Sequence, residues 1–121
     1  MKNALNWFEI FVSELDRAAA FYERSLGLKL KREVFTGQAM AVFMTEDPAV
    51  GGALVHNPMR KPSNDGTVVY LNVSGKIDEV LGRVPAAGGS IAMPKTDIGE
   101  PGFIALIRDT EGNTVGLHSP R

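Results

Sequence analysis

The chain has no cysteine. That excludes disulfide staples and thiolate metal sites, and it leaves histidine, carboxylate or neutral oxygen as the ligands open to any cation. Long apolar runs are missing as well. The N-terminal stretch NALNWFEIFV is interrupted by Glu9 and leads to no small-residue cleavage site, so neither a secretory leader nor a membrane span is expected. A cytoplasmic location, with no membrane partner, is the corresponding expectation. Charge of one sign is also lacking: 13 basic and 14 acidic residues are interspersed, without the blocks that grip nucleic acid. No nucleic-acid partner is expected.

What is present is a chain of 121 residues, 44% apolar, which suits one core and is too short for two. A single domain over 1–121 is predicted, and within it the chain repeats itself. Val12-Ser13 followed by an amphipathic stretch to Gly27 returns as Val73-Ser74 followed by another to Gly88, and His56-x-Pro58 returns as His118-x-Pro120, at an offset of ~60 residues. Module one spans about 1–58 and module two about 67–121; between them the polar NPMRKPSNDG reads as a connector over about 58–66.

In the first module LNWFEIFV alternates as a strand does, and Ser13 and Asp16 then read as a helix start, with Ser13 as the cap. Leu15, Ala18, Ala19, Tyr22 and Leu26 recur at helical spacing and Gly27 offers a left-handed stop, which predicts a helix over 15–26. Three strand-like runs follow: LKLKREVF, QAMAVFM and GGALVHN. The second module repeats the order with TVVYLNV, the helix IDEVLGRVPAA, then SIAMPK, FIALIR and TVGLHS. The prediction is an α+β fold of two βαβββ modules forming a curved mixed sheet with the helices on its convex face.

Alternation sorts the strand faces. Phe8, Ile10, Val12, Ala53, Val55, Val69, Leu71, Val73, Val115 and Leu117 are assigned to the helix side. Trp7, Glu9, Phe11, Leu54, His56, Val68, Tyr70, Asn72, Gly116 and His118 are assigned to the other. That second face mixes rings with a few polar groups, as a concave small-molecule site does.

The doubled module, the stretch VSELDRAAAFYERSLG after the first strand, and D-x-x-G-N before a final H-S-P together resemble the vicinal oxygen chelate superfamily. That superfamily includes glyoxalase I, bleomycin-resistance proteins and extradiol dioxygenases. PKTDIGEPGFIALIRDTEGNTVGLHSP looks most like its small glyoxalase-related bacterial members. The resemblance implies a homodimer, and metal ligands on the first and last strand of each module. Counting back from Val12, Val73, Pro58 and Pro120 puts Trp7, Val68, Leu54 and Gly116 at those four places, and none of them ligates. No metal or other cofactor is therefore predicted. A displaced divalent set of Glu9, His56 and His118 is the alternative. Gly116, standing where the carboxylate would be, is expected to open space.

Glu9, set among Trp7, Phe8, Ile10 and Phe11, is a candidate base whose proton affinity burial would raise; pairing with Arg108 or Lys95 is the bland alternative. His118 is the candidate to polarise a substrate oxygen, with Tyr70 as a second donor. Trp7, Phe11, Leu54, His56, Asn72, Phe103 and Gly116 complete the expected ligand-binding set, and the loop from Thr96 to Gly102 is either a flap or a plain hairpin connection. Three readings follow: a metal-independent lyase or isomerase on a small carbonyl compound, a non-catalytic ligand-binding module, and a metal-dependent glyoxalase-type lyase.

Overall fold

A computed structural model describes residues 3–121. Its elements run β1 (Trp7–Phe11), α1 (Leu15–Leu26), β2 (Leu30–Phe35), β3 (Gln38–Phe43), β4 (Gly51–Val55), β5 (Tyr70–Asn72), α2 (Ile77–Ala87), β6 (Ser90–Asp97), β7 (Phe103–Arg108) and β8 (Thr114–Ser119). Two βαβββ modules are thus present in an α+β fold. They form two four-stranded mixed sheets, ordered β1-β4-β3-β2 and β5-β8-β7-β6, so that β1 and β5 are edge strands. In each sheet the first and last strands of the module run parallel and the other pairs antiparallel.

Helix α1 occupies the expected 15–26, and its apolar positions bury Ala18, Ala19, Phe21 and Tyr22. Gly27 ends it at φ 71°, donating its N–H to the Glu23 carbonyl. Helix α2 carries Pro85 in its last turn yet continues to Ala87 before Gly88 stops it. One apolar cluster underlies both helices, joining Ile10, Leu54, Ala41 and Phe43 of the first module to Leu71, Ile107, Val115 and Leu117 of the second. The modules therefore share a core.

One expectation about the faces is corrected. Phe8 pairs with Gly52 and Ile10 with Leu54, so Leu54 points toward the helices, whereas Ala53 and Val55 lie on the other face with Met40, Phe11 and Val42. The cause is a register error hidden in the repeat. The Val12 N–H donates to Val55 O, and its counterpart Val73 N–H donates to His118 O. Val55 is therefore the structural partner of His118, Ala53 of Gly116, and His56 of Ser119. The His-x-Pro repeat is one residue out of step, and a one-residue slip moves every side chain of a strand to the opposite face.

The modules are also clamped through the turn before β8. The Tyr22 hydroxyl of α1 donates to Asp109 Oδ2 at 2.7 Å, and Asn113 Nδ2 donates to Asp109 Oδ2 at 3.0 Å and to the Phe11 carbonyl at 2.9 Å. Burial and the Asp109 charge push the Tyr22 phenol well above its ordinary range. Tyr22→Phe, which leaves a buried Asp109 oxygen short of one donor, is expected to lower unfolding free energy by about 1–3 kcal/mol, measured by urea denaturation.

Glu111 completes the clamp. Its Oε1 accepts the N–H groups of Ser13 (3.0 Å) and Glu14 (2.9 Å) at the start of α1, and its two oxygens take a two-pronged contact from Arg17 at 2.8 and 3.0 Å. The sequence pattern points to Ser13 as the cap of α1. The cap comes instead from the other module, and no side chain next to the helix supplies one.

Candidate functional site

The face turned away from the helices carries Trp7, Glu9 and Phe11 on β1, and Tyr70, Asn72, Gly116 and His118 on β5 and β8. Glu9 is exposed, and its carboxylate accepts a hydrogen bond from the Trp7 indole at 3.3 Å. Neither Arg108 nor Lys95 pairs with it; Lys95 pairs with Asp78 at 3.1 Å. The desolvation on which a base role rested is absent. His118 is half-buried and its Nε2 donates to the Pro101 carbonyl at 2.8 Å. That contact, with Arg121 donating to Gly99 O at 3.0 Å, links the loop from Thr96 to Gly102 to β8 and the residues after it. No hydrogen bond joins Glu9, His118 and Tyr70 to one another.

Four further expectations about the site are revised by packing. Leu54 is fully buried in the helix-side core, away from the concave face. His56 is on the helix side too, where its Nδ1 donates to the Val12 carbonyl at 3.1 Å beside the start of α1. Phe103 lies apart from Tyr70, between Lys95 Nζ at 4.5 Å and the Arg121 guanidinium at 5.0 Å from its ring centre. Gly116 does not open space: a Cβ there would collide with the Tyr70 ring at Cγ, Cδ1 and Cε1.

Register replaces Leu54 by Ala53, so the four places that the resemblance marks for ligands hold Trp7, Ala53, Val68 and Gly116, none with a donor atom for a metal. The displaced set fails on geometry, since His56 faces the other way from Glu9 and His118. Among the described residues no three His, Asp or Glu side chains gather as a cation site would require.

A different feature, unread in the sequence, lies at the seam. Between the edge strands β1 and β5 and the end of α1 is a cavity of about 400 Å³. Phe8, Leu26, Phe43, Val69 and Leu71 form its walls. Leu5, Leu28, Met44 and Tyr70 stand exposed among its lining residues. Thr45, Asn72 and Tyr70 supply the side chains with polar atoms, and no Asp, Glu, Lys, Arg or His lines it. The one tryptophan of the chain is adjacent: Trp7 Cζ3 lies 3.6 Å from where a Cβ on the cavity-lining Gly51 would sit. Tyr70 and Asn72 are the two sequence candidates that reach this cavity. Its walls were missed because each is also a core position by alternation, and only the docking of the modules leaves a gap between them.

With this geometry, the chain can be placed among known proteins. It is 30% identical over 120 residues to "Putative glyoxylase CFP32" of Mycobacterium tuberculosis (strain CDC 1551 / Oshkosh) and to the Mycobacterium bovis protein of the same name; the match covers 96% of this chain and 44% of each relative. The chain thus spans less than half the length of these curated relatives. Among solved structures, a glyoxalase/bleomycin resistance protein from Albidiferax ferrireducens T118 superposes with TM-score 0.75 at 15% identity, covering 98% of this chain and 100% of that one. A glyoxalase I variant from Zea mays superposes with TM-score 0.70 at 24% identity, over 95% of this chain and 46% of that one. These likenesses show the fold. Residues 4–117 match the family model directly, and the chain belongs to the Glyoxalase/Bleomycin resistance protein/Dioxygenase superfamily.

Proposed function

We propose that this chain is a small-molecule-binding domain of glyoxalase-related type, which holds a mainly apolar ligand in the seam cavity and uses no cation at the family's ligand places. The observation that carries this reading is the cavity itself: about 400 Å³, walled by rings and aliphatic chains, bordered by exposed apolar groups, and with three side chains that carry polar atoms, Thr45, Tyr70 and Asn72, to orient a guest. Apolar walls with sparse polar groups are the composition of a ligand pocket. An exposed Met44 or Leu28 alone would need no explanation, whereas several such side chains around one concavity do.

The test is titration with N-phenyl-1-naphthylamine, followed through the probe's own emission. Binding is expected, and Val69→Trp or Val50→Trp, each filling the cavity from a different wall, is expected to weaken it by at least tenfold while circular dichroism stays native. Unchanged affinity in both variants would overturn the reading.

A second reading keeps the concave face. Glu9 and Tyr70 point the same way from repeat-equivalent positions, and Glu9 remains open to solvent beside the Trp7 ring. A metal-independent lyase or isomerase acting on a small carbonyl compound would use Glu9 as base and His118 or Tyr70 as oxyanion donor. Glu9→Gln that abolishes turnover of a ligand that still binds favours this reading over the binding one. We also infer a homodimer that covers the half-buried apolar side chains of this face, Phe11, Val42, Ile104 and Leu106 among them. Sedimentation equilibrium measures it. No helix among the described residues is long and apolar enough to cross a membrane.

A further inference from the structure

The seam cavity does not stop at Asn72. A second hollow of about 280 Å³ shares Leu26, Leu28 and Asn72 with it and runs on past the end of α1 to Ser74, Lys76 and Val80. Taken together as one groove, the two adjoining hollows have unlike ends. The first end has no charged lining group. The second is cationic: Lys76 lines it, and Arg83, one turn beyond Val80 on α2, holds its guanidinium 3.3 Å from where a Cβ on the lining Gly27 would stand. Arg83 Nε is fixed there by donating to the Ser25 carbonyl at 2.9 Å.

No carboxylate lines either part. On the elements packed around the groove, Glu23 accepts the Leu30 N–H at 2.9 Å, Asp78 is paired with Lys95, and Glu79 lines a separate hollow on the other side of Lys76. Lys76 forms no ion pair with any described carboxylate.

Asn72, at the junction, is oriented for an acceptor. Its Oδ1 already receives both the N–H of Ser74, at 2.9 Å, and the Ser74 hydroxyl. The amide nitrogen, with two N–H groups, is taken up by no described group. A guest at the junction therefore meets a donor from Asn72 and a cation from Lys76, and beyond them walls that are mainly hydrocarbon and rings, with Thr45 and Tyr70 as the other side chains carrying polar atoms in the seam cavity.

Resting on the reading that the seam cavity is the ligand site, we infer that the groove takes an amphipathic monocarboxylate, its apolar body over Phe8, Phe43 and Val69 and its carboxylate between Asn72 Nδ2 and Lys76 Nζ. A neutral amphiphile would leave the cation without a partner.

The experiment compares dodecanoate with 1-dodecanol, both below aggregating concentrations, on the whole chain, by calorimetry and Trp7 fluorescence. Dodecanoate is expected to bind about tenfold more tightly at low salt, an advantage that shrinks as ionic strength rises. Lys76→Met is expected to bring dodecanoate to the alcohol's affinity and leave the alcohol unchanged, while Lys76→Arg keeps the preference. Equal binding of the two probes to the native chain, or a preference that survives Lys76→Met, overturns this inference and leaves the cavity reading standing. Binding of neither probe overturns this inference together with that reading.

Discussion

Glu111→Gln is expected to lower the unfolding free energy by about 3 kcal/mol at neutral pH and to have progressively less effect as the solution is acidified. Burial alone would raise this carboxyl's pKa, but the Arg17 guanidinium, the Glu14 N–H and the Thr110 hydroxyl together pull it down to about 2, from 4.5. A carboxyl whose folded pKa lies below its unfolded value contributes stability that is fully present above the unfolded value and is lost as pH falls through the folded one. The native chain should therefore lose this contribution between about pH 5 and pH 2. The glutamine variant, with no charge there to lose, should show a flatter profile over that window. Arg17 is half exposed and re-solvates when its partner is removed, whereas the N–H groups of Ser13 and Glu14 lose a charged acceptor at the start of α1. Urea denaturation of both chains at several pH values measures the difference. Parallel profiles would mean that the carboxylate is not the clamp described above.

This clamp shows where reading the sequence stopped. DTEGN is legible as a turn, since Gly112 at φ 87° needs the conformation that glycine accepts readily, and Asp109 receives the N–H groups of Glu111 and Asn113 within the same loop. That Glu111 also caps a helix 97 residues earlier in the chain leaves no trace in local pattern. The helix over 15–26 was legible for the opposite reason: its period and its stop at Gly27 are both local. Strand β5 was read too long because TVVYLNV alternates throughout, while only Tyr70–Asn72 lies alongside β8. The site fared worst, because a cavity formed where two modules dock is a property of their separation and not of either strand's alternation.

The register of β4 is the one place where sequence pattern could not decide at all, and it can be tested by a single methyl group. All five residues of GGALV are buried, so apolar alternation carries no parity signal there, and the repeated histidine pointed to the wrong one. In the structure Gly52 faces Phe8, and a Cβ at Gly52 would run into that ring at Cγ, Cδ2 and Cε2. The ring cannot easily yield, because it is packed against Phe43 with centroids 5.6 Å apart. Gly52→Ala is therefore expected to destabilise the chain by about 3 kcal/mol, near the upper end for overpacking. Gly51→Ala should cost less, since its Cβ would meet Thr45 Oγ1 at 3.1 Å and Phe43 O at 3.3 Å, contacts that yield with small shifts. Removing the obstacle supplies the control. In a Phe8→Ala background the Gly52→Ala step should be nearly neutral, a coupling of about 2 kcal/mol in a double-mutant cycle. Additive effects would place Gly52 and Phe8 on opposite faces, restore Leu54 to the concave side, and undo the assignment of Ala53 as the counterpart of Gly116.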